Sequence, residues 1–126
     1  HTPLFVECTV DETTGEELTP LAHGSSRRVF AEQTAEKLQE LLAGVVAEGT
    51  GRQAAPSEGT AAGKTGTAQT GQFRDGEELK NYWFAGFYPA EKPRWTIVVM
   101  QDAQTEPEVS SAAVFARLCD ALSAGE

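Results

Sequence analysis

Two short apolar runs constrain this chain more than any other feature. Tyr82 to Tyr88 and Trp95 to Met100 are rich in aromatic and β-branched residues and nearly continuous, and Pro89 to Pro93 turns the chain between them. Runs of that length and make-up read as strands, and near-continuous apolarity predicts inner strands covered on both faces. A connection this short makes them antiparallel neighbours. Upstream, Gly63 to Gly71 (Gly-Lys-Thr-Gly-Thr-Ala-Gln-Thr-Gly) is small and threonine-rich, a strand that leaves room for something to lie beside it. Residues 72 to 80 are polar, with Asp75-Gly76 at their centre, and read as a hairpin loop. The three strands form an antiparallel meander.

Helices flank it. Leu38, Leu41, Leu42, Val45 and Val46 recur at the spacing of one helical face, which predicts a helix from about Ala31 to Glu48. Glu32 suits its positive end, and Gly49 is placed to end it in the left-handed conformation. Residues 49 to 63 are mostly Gly, Ala, Ser and Thr, a connection rather than a core element. A second helix is expected over residues 109 to 122, with Ala112, Phe115, Leu118, Cys119 and Leu122 along one side and Pro107 just before it. At the other end, residues 4 to 10 and 16 to 21 read as a hairpin about a turn at Asp11 to Gly15, and 22 to 28 as a loop. The order is hairpin, helix, three-stranded meander, helix: an α+β arrangement.

With 126 residues there is room for one domain or part of one. Hydrophobic residues at 40% and charged residues at 23% argue against wholesale disorder. A net charge of -9 would repel a phosphate backbone, so nucleic acid is a poor partner. Cys8 and Cys119 sit in no metal-ligand or redox spacing; a disulfide is open, with two buried free thiols the expectation. His1 and His23 have no partners at ligand spacing, so neither a metal nor another cofactor is expected. No apolar run approaches the ~20 residues of a membrane span, so an anchor, if there is one, lies outside this sequence.

The chemistry concentrates in Gly63 to Gly71. A phosphate-binding loop needs a glycine five residues before Gly63, where Glu58 stands, and a helix opening at the lysine. Neither condition is met. The Lys-Thr-Gly signature of serine acyl-transfer enzymes fits better. Lys64 supplies a fixed cation for a substrate carboxylate, and Thr65 and Thr67 supply hydroxyl donors. Gly66 lets a substrate backbone come close, and strand amides can point at a developing oxyanion. The bland reading, a lysine and threonines on a solvated strand, is what the tripeptide alone would support.

The context is richer than the tripeptide. Ala62 to Gln69 resembles the third motif of penicillin-binding proteins, particularly the monofunctional class B transpeptidases. Thr34 to Leu38, Gly44-Val45-Val46 and Gly49-Thr50-Gly51 are similar to the helix and glycine turn before that motif. Trp83 to Pro89 and Ile97 to Met100 resemble the next two strands, and Thr2-Pro3-Leu4 with the following hairpin also fits.

The resemblance implies that Lys64 binds the carboxylate and joins the proton network around the nucleophile. Thr65 and Thr67 would be carboxylate donors, with the Thr67 amide one of two oxyanion donors. Gly66 would keep the strand open. Gln69 is a further candidate for substrate binding, with lining the cleft and facing water both open. It implies a parent protein on the extracytoplasmic face of the bacterial membrane that cross-links peptidoglycan stem peptides and binds β-lactams. A β-lactam sensor, a β-lactamase or a non-catalytic carboxylate-binding module are the alternatives.

The departure is as informative. The family needs a Ser-x-x-Lys and a Ser-x-Asn. None of Ser25, Ser26, Ser57, Ser110, Ser111 and Ser123 has lysine three residues on, and Asn81, the only asparagine, has no serine two before it. Residues 1 to 126 therefore read as the C-terminal part of a transpeptidase domain, inactive alone for want of a nucleophile. In the family the strand resembling Trp95 to Met100 is flanked by strands from earlier in the domain. Without them, self-association through an exposed sheet edge is expected.

Overall fold

The structure is a computed structural model that describes residues 8–20 and 27–125. It divides into two units, His1–Ala31 and Glu32–Glu126. In the first, β1 (Cys8–Val10) and β2 (Glu17–Pro20) form an antiparallel hairpin. Its turn is organised by Asp11, whose carboxylate accepts from the amides of Thr13 at 2.8 Å and Thr14 at 2.9 Å. Those amides, Thr14 foremost, hold the Asp11 carboxyl below its ordinary value. Gly15 takes the positive φ of 73° that closes the turn. The expectations for residues 4 to 7 and 21 to 26 lie outside the described residues.

The second unit opens with α1 (Glu32–Ala47), close to the predicted span. Its apolar face is only partly used. Val46 is buried, Leu42 and Val45 are half-buried, and Leu38 and Leu41 are 45% and 57% exposed. Gly49 does not take the expected left-handed conformation; the described positive-φ glycines are Gly15, Gly59, Gly71 and Gly76. Crowding explains it instead, because a Cβ at Gly49 would lie 2.9 Å from the Val45 carbonyl oxygen. That carbonyl accepts the amides of both Gly49 and Gly51, at 3.1 and 3.0 Å, and so closes the helix.

The connection that follows is not the inert segment its composition suggests. It contains a 3-10 turn at Arg52–Ala54, and Ala54 and Ala61 are fully enclosed in the core. Alanine in a Gly/Ser/Thr run has no periodicity to betray its burial, yet its small side chain fits where backbone segments meet.

The sheet is β3 (Ala62–Arg74), β4 (Glu77–Tyr88) and β5 (Trp95–Gln104), in the order β3-β4-β5 and antiparallel throughout. The loop read over residues 72 to 80 shrinks to a two-residue turn. Asp75 and Gly76 both have positive φ, 53° and 86°, and Arg74 pairs with Glu77. Positive φ at both central residues matches the twist of the flanking strands, so they run right up to the turn. The polarity that suggested a loop belongs to a solvated hairpin. A register shift between Gln69 and Phe73 accompanies it, with Gly71 at φ 69° and the Thr70 hydroxyl donating to the Leu79 carbonyl at 2.6 Å.

Burial along β4 and β5 alternates, contrary to the expectation of two covered faces. Phe84, Gly86 and Tyr88 are buried while Trp83 and Ala85 are exposed, and Ile97 and Val99 are half-buried while Val98 and Met100 are exposed. The described residues supply side chains for one face only. On that face α2 (Ser111–Ala124) sets the Phe115 ring against Phe84, with centroids 4.7 Å apart and planes tilted by 55°. Ala112 and Cys119 of α2, Val46 of α1, and Ala54, Ala61 and Tyr88 complete the cluster. The α2 N-cap is Ser110, whose side chain accepts from Ala113 N at 3.1 Å.

Both cysteines are free; Cys8 is half-buried, not buried as expected, and Cys119 is buried. Burial, reinforced by the charge of Asp120, pushes the Cys119 thiol from an ordinary 9.0 up to about 11. In native protein at mildly alkaline pH, Cys8 is expected to alkylate readily and Cys119 only after denaturation, as mass spectrometry of the labelled chain would show. A raised folded value also means that this group's contribution to stability is complete below pH 9 and declines as pH rises toward 11.

Candidate functional site

The site is built on β3, which is an edge strand: among the described residues it pairs with β4 alone. Its register places Gly63 opposite Gly86, Lys64 opposite Ala85, Thr65 opposite Phe84 and Gly66 opposite Trp83. Directly opposed residues share a face, so Gly63, Thr65 and Thr67 lie on the core side and Lys64 and Gly66 on the open side. Gly63 is required by its neighbours, since a Cβ there would stand 2.6 Å from the Phe84 ring. Gly66 is different. A Cβ there would meet Trp83 at an ordinary 3.4 Å, so no crowding among the described residues demands a glycine.

Lys64 is exposed, and its Nζ donates to the Thr65 hydroxyl at 2.9 Å and the Thr65 carbonyl at 3.0 Å. Among the described residues it forms no ion pair; the salt bridge found there joins Lys37 to Glu40. In a chain of net charge -9, a cation resting on a hydroxyl and a carbonyl keeps its charge available to an incoming anion.

Thr65, Gly66 and Thr67 line a hollow of about 120 Å³ together with Thr50, Tyr82 and Ser110. The Thr50 hydroxyl stands 3.5 Å from that of Thr65. Ser111 closes the hollow from below, buried and donating to the Tyr82 carbonyl at 2.8 Å. The Tyr82 hydroxyl reaches the Thr105 carbonyl at 2.6 Å, and the Gln101 amide the Val109 carbonyl at 2.8 Å. These bonds tie the connection after β5 to the sheet and hold the start of α2 beside Thr65 and Thr67.

The structure thus brings Lys64, Thr65, Gly66 and Thr67 together. Gln69 stands apart, its amide donating to Glu78 across the hairpin at 2.8 Å. Thr50 was missed as a site residue, although Gly49-Thr50-Gly51 was legible as a turn; a hydroxyl between two glycines at a helix end is the signal that could have found it. The described serines all have structural employment. Ser57 holds Asp120, Ser110 and Ser111 organise the α2 start, and Ser123 bonds to the Cys119 carbonyl and Tyr88.

The arrangement is an edge strand that offers a cation, two hydroxyls and a glycine, with a helix packed on one face of its sheet. The chain belongs to the penicillin binding protein transpeptidase domain family, whose model matches residues 1–120. It is 34% identical over 105 residues to stage V sporulation protein D of Bacillus subtilis, covering 81% of this chain and 16% of that protein. It is 37% identical over 117 residues to penicillin-binding protein PbpB of Mycolicibacterium smegmatis, covering 80% and 17%. The chain therefore spans about a sixth of the length of these curated relatives.

Solved structures agree. The D,D-transpeptidase domain of a peptidoglycan glycosyltransferase from Eggerthella lenta superposes with a TM-score of 0.64 at 28% identity, over 94% of this chain and 27% of that one. The transpeptidase domain of Burkholderia pseudomallei penicillin-binding protein 3 gives 0.68 at 29% identity, over 87% and 36%.

Proposed function

We propose that this chain forms the Lys-Thr-Gly wall of a D,D-transpeptidase that cross-links peptidoglycan stem peptides and is acylated by β-lactams on the extracytoplasmic face of the bacterial membrane. The observation that carries the reading is the state of Lys64: an exposed cation without a carboxylate partner among the described residues, 2.9 Å from the Thr65 hydroxyl on a free sheet edge. A carboxylate arriving there meets a charge-assisted donor and the hydroxyls of Thr65 and Thr67. The Thr67 amide serves as an oxyanion donor, and Gly66 admits the extended substrate beside the strand. Gln69 joins the substrate contacts only by releasing Glu78.

The nucleophilic serine and its lysine come from protein outside these residues. One cation and one oxyanion donor cannot acylate anything without them. Labelling with a fluorescent penicillin tests the reading. The complete protein is expected to carry a label that survives denaturing electrophoresis, and this chain alone is expected to carry none. An unlabelled complete protein would leave only a carboxylate-binding module.

A further inference from the structure

Three elements wall the hollow beside the site. The turn after α1 brings Thr50 and Gln53, strand β3 brings Thr65 and Thr67, and the start of α2 brings Ser110 and Ser111. A polar contact crosses each junction. Between helix and sheet, Ser111 donates to the Tyr82 carbonyl at 2.8 Å, and Tyr82 is the register partner of Thr67. Between turn and strand, the Thr50 and Thr65 hydroxyls stand 3.5 Å apart. Between helix and turn, Gln53 Oε1 accepts the Ser110 hydroxyl.

The helix cap prepares that third contact. Ser110 Oγ accepts from Ala113 N at 3.1 Å, which leaves its own proton to donate, and Gln53 takes it. One hydroxyl thus caps α2 and anchors the turn. The backbone between Gln53 and Thr50 is short and fixed: Ala54 N donates to the Gly51 carbonyl at 2.8 Å, and Gly51 and Ala54 are both buried. Whatever holds Gln53 against α2 therefore also holds Thr50 against Thr65. That help is needed, because 3.5 Å is the outer limit of a hydrogen bond.

We propose that Gln53 is a positioning residue: through Ser110 it fixes the turn against the start of α2 and so keeps Thr50 in place to orient the Thr65 hydroxyl toward a substrate carboxylate. This rests on the reading of Thr65 as a carboxylate donor.

Stopped-flow acylation of the complete protein by a β-lactam tests it. Gln53→Ala is expected to lower the second-order rate roughly three- to tenfold, the worth of one hydrogen bond. Its melting temperature stays near that of the parent, because Gln53 is exposed and Gly51 and Ala54 keep the turn in the core. In a Thr65→Ala background the same change is expected to cost less than about twofold, since the hydroxyl it positions is gone. A parental rate in Gln53→Ala would overturn the inference. So would an equal loss in both backgrounds, which would make Gln53 a support of the fold alone. A parental rate in Thr65→Ala by itself would instead overturn the reading of Thr65, and the inference with it.

Discussion

Phe84→Ala is expected to lower unfolding stability by about 3–5 kcal/mol, the cost of truncating a fully buried phenylalanine. Phe84 is 0% exposed and sits where the core's contributors meet. Its ring lies 4.7 Å from that of Phe115 and fills the space that Gly63 leaves vacant. Truncation removes buried apolar surface and opens a cavity that the backbone of β3 cannot collapse into. Domains of this size are stable by only about 5–15 kcal/mol, so the variant stands near its unfolding threshold. A urea titration at low protein concentration reads the effect as a lowered midpoint at unchanged slope. Phe73, 67% exposed near the hairpin tip, is the control, because its replacement by alanine removes little buried surface.

Lys64→Ala carries the second large effect, and it falls on chemistry rather than folding. On the proposed reading of Lys64, the change in the complete protein is expected to slow acylation by a β-lactam about 10²–10⁴-fold, the range for loss of a positioned proton-transfer group. Thermal stability stays close to that of the parent, since the side chain is exposed and its bonds are confined to Thr65. Lys64→Arg restores the charge but not the compact, rotatable ammonium, and so rescues only part of the rate. An acylation rate untouched by Lys64→Ala would remove Lys64 from the site.

What the sequence revealed depended on whether a residue had to declare itself through pattern. The helix over α1 was legible because leucine and valine recur at its period, and β4 and β5 because their apolar runs are short and separated by Pro89 to Pro93. Lys64 to Thr67 could be picked out as a candidate because the four residues are adjacent in sequence, and the structure places them on one edge strand. What failed to show was set by the fold around each residue. Near-continuous apolarity promised two covered faces, but the described residues have partners for one. Ala54 and Ala61 looked like linker and are core. Thr50 became part of the site only when the glycine turn after α1 brought it to 3.5 Å from Thr65.

The two-residue turn at Asp75-Gly76 has a consequence for how this unit assembles in time. It joins β3 to β4 by the shortest of connections, so their pairing is local and can close within about 1–10 μs, the pace of an isolated hairpin. The enclosed cluster is the opposite case. It waits for Val46, Phe84 and Phe115 to find one another across most of the unit's length, and distant encounters of that kind set the overall rate. The strand bearing Lys64 is thus expected among the earliest parts to take shape and the start of α2 among the last, an order that pulsed hydrogen exchange during refolding would read.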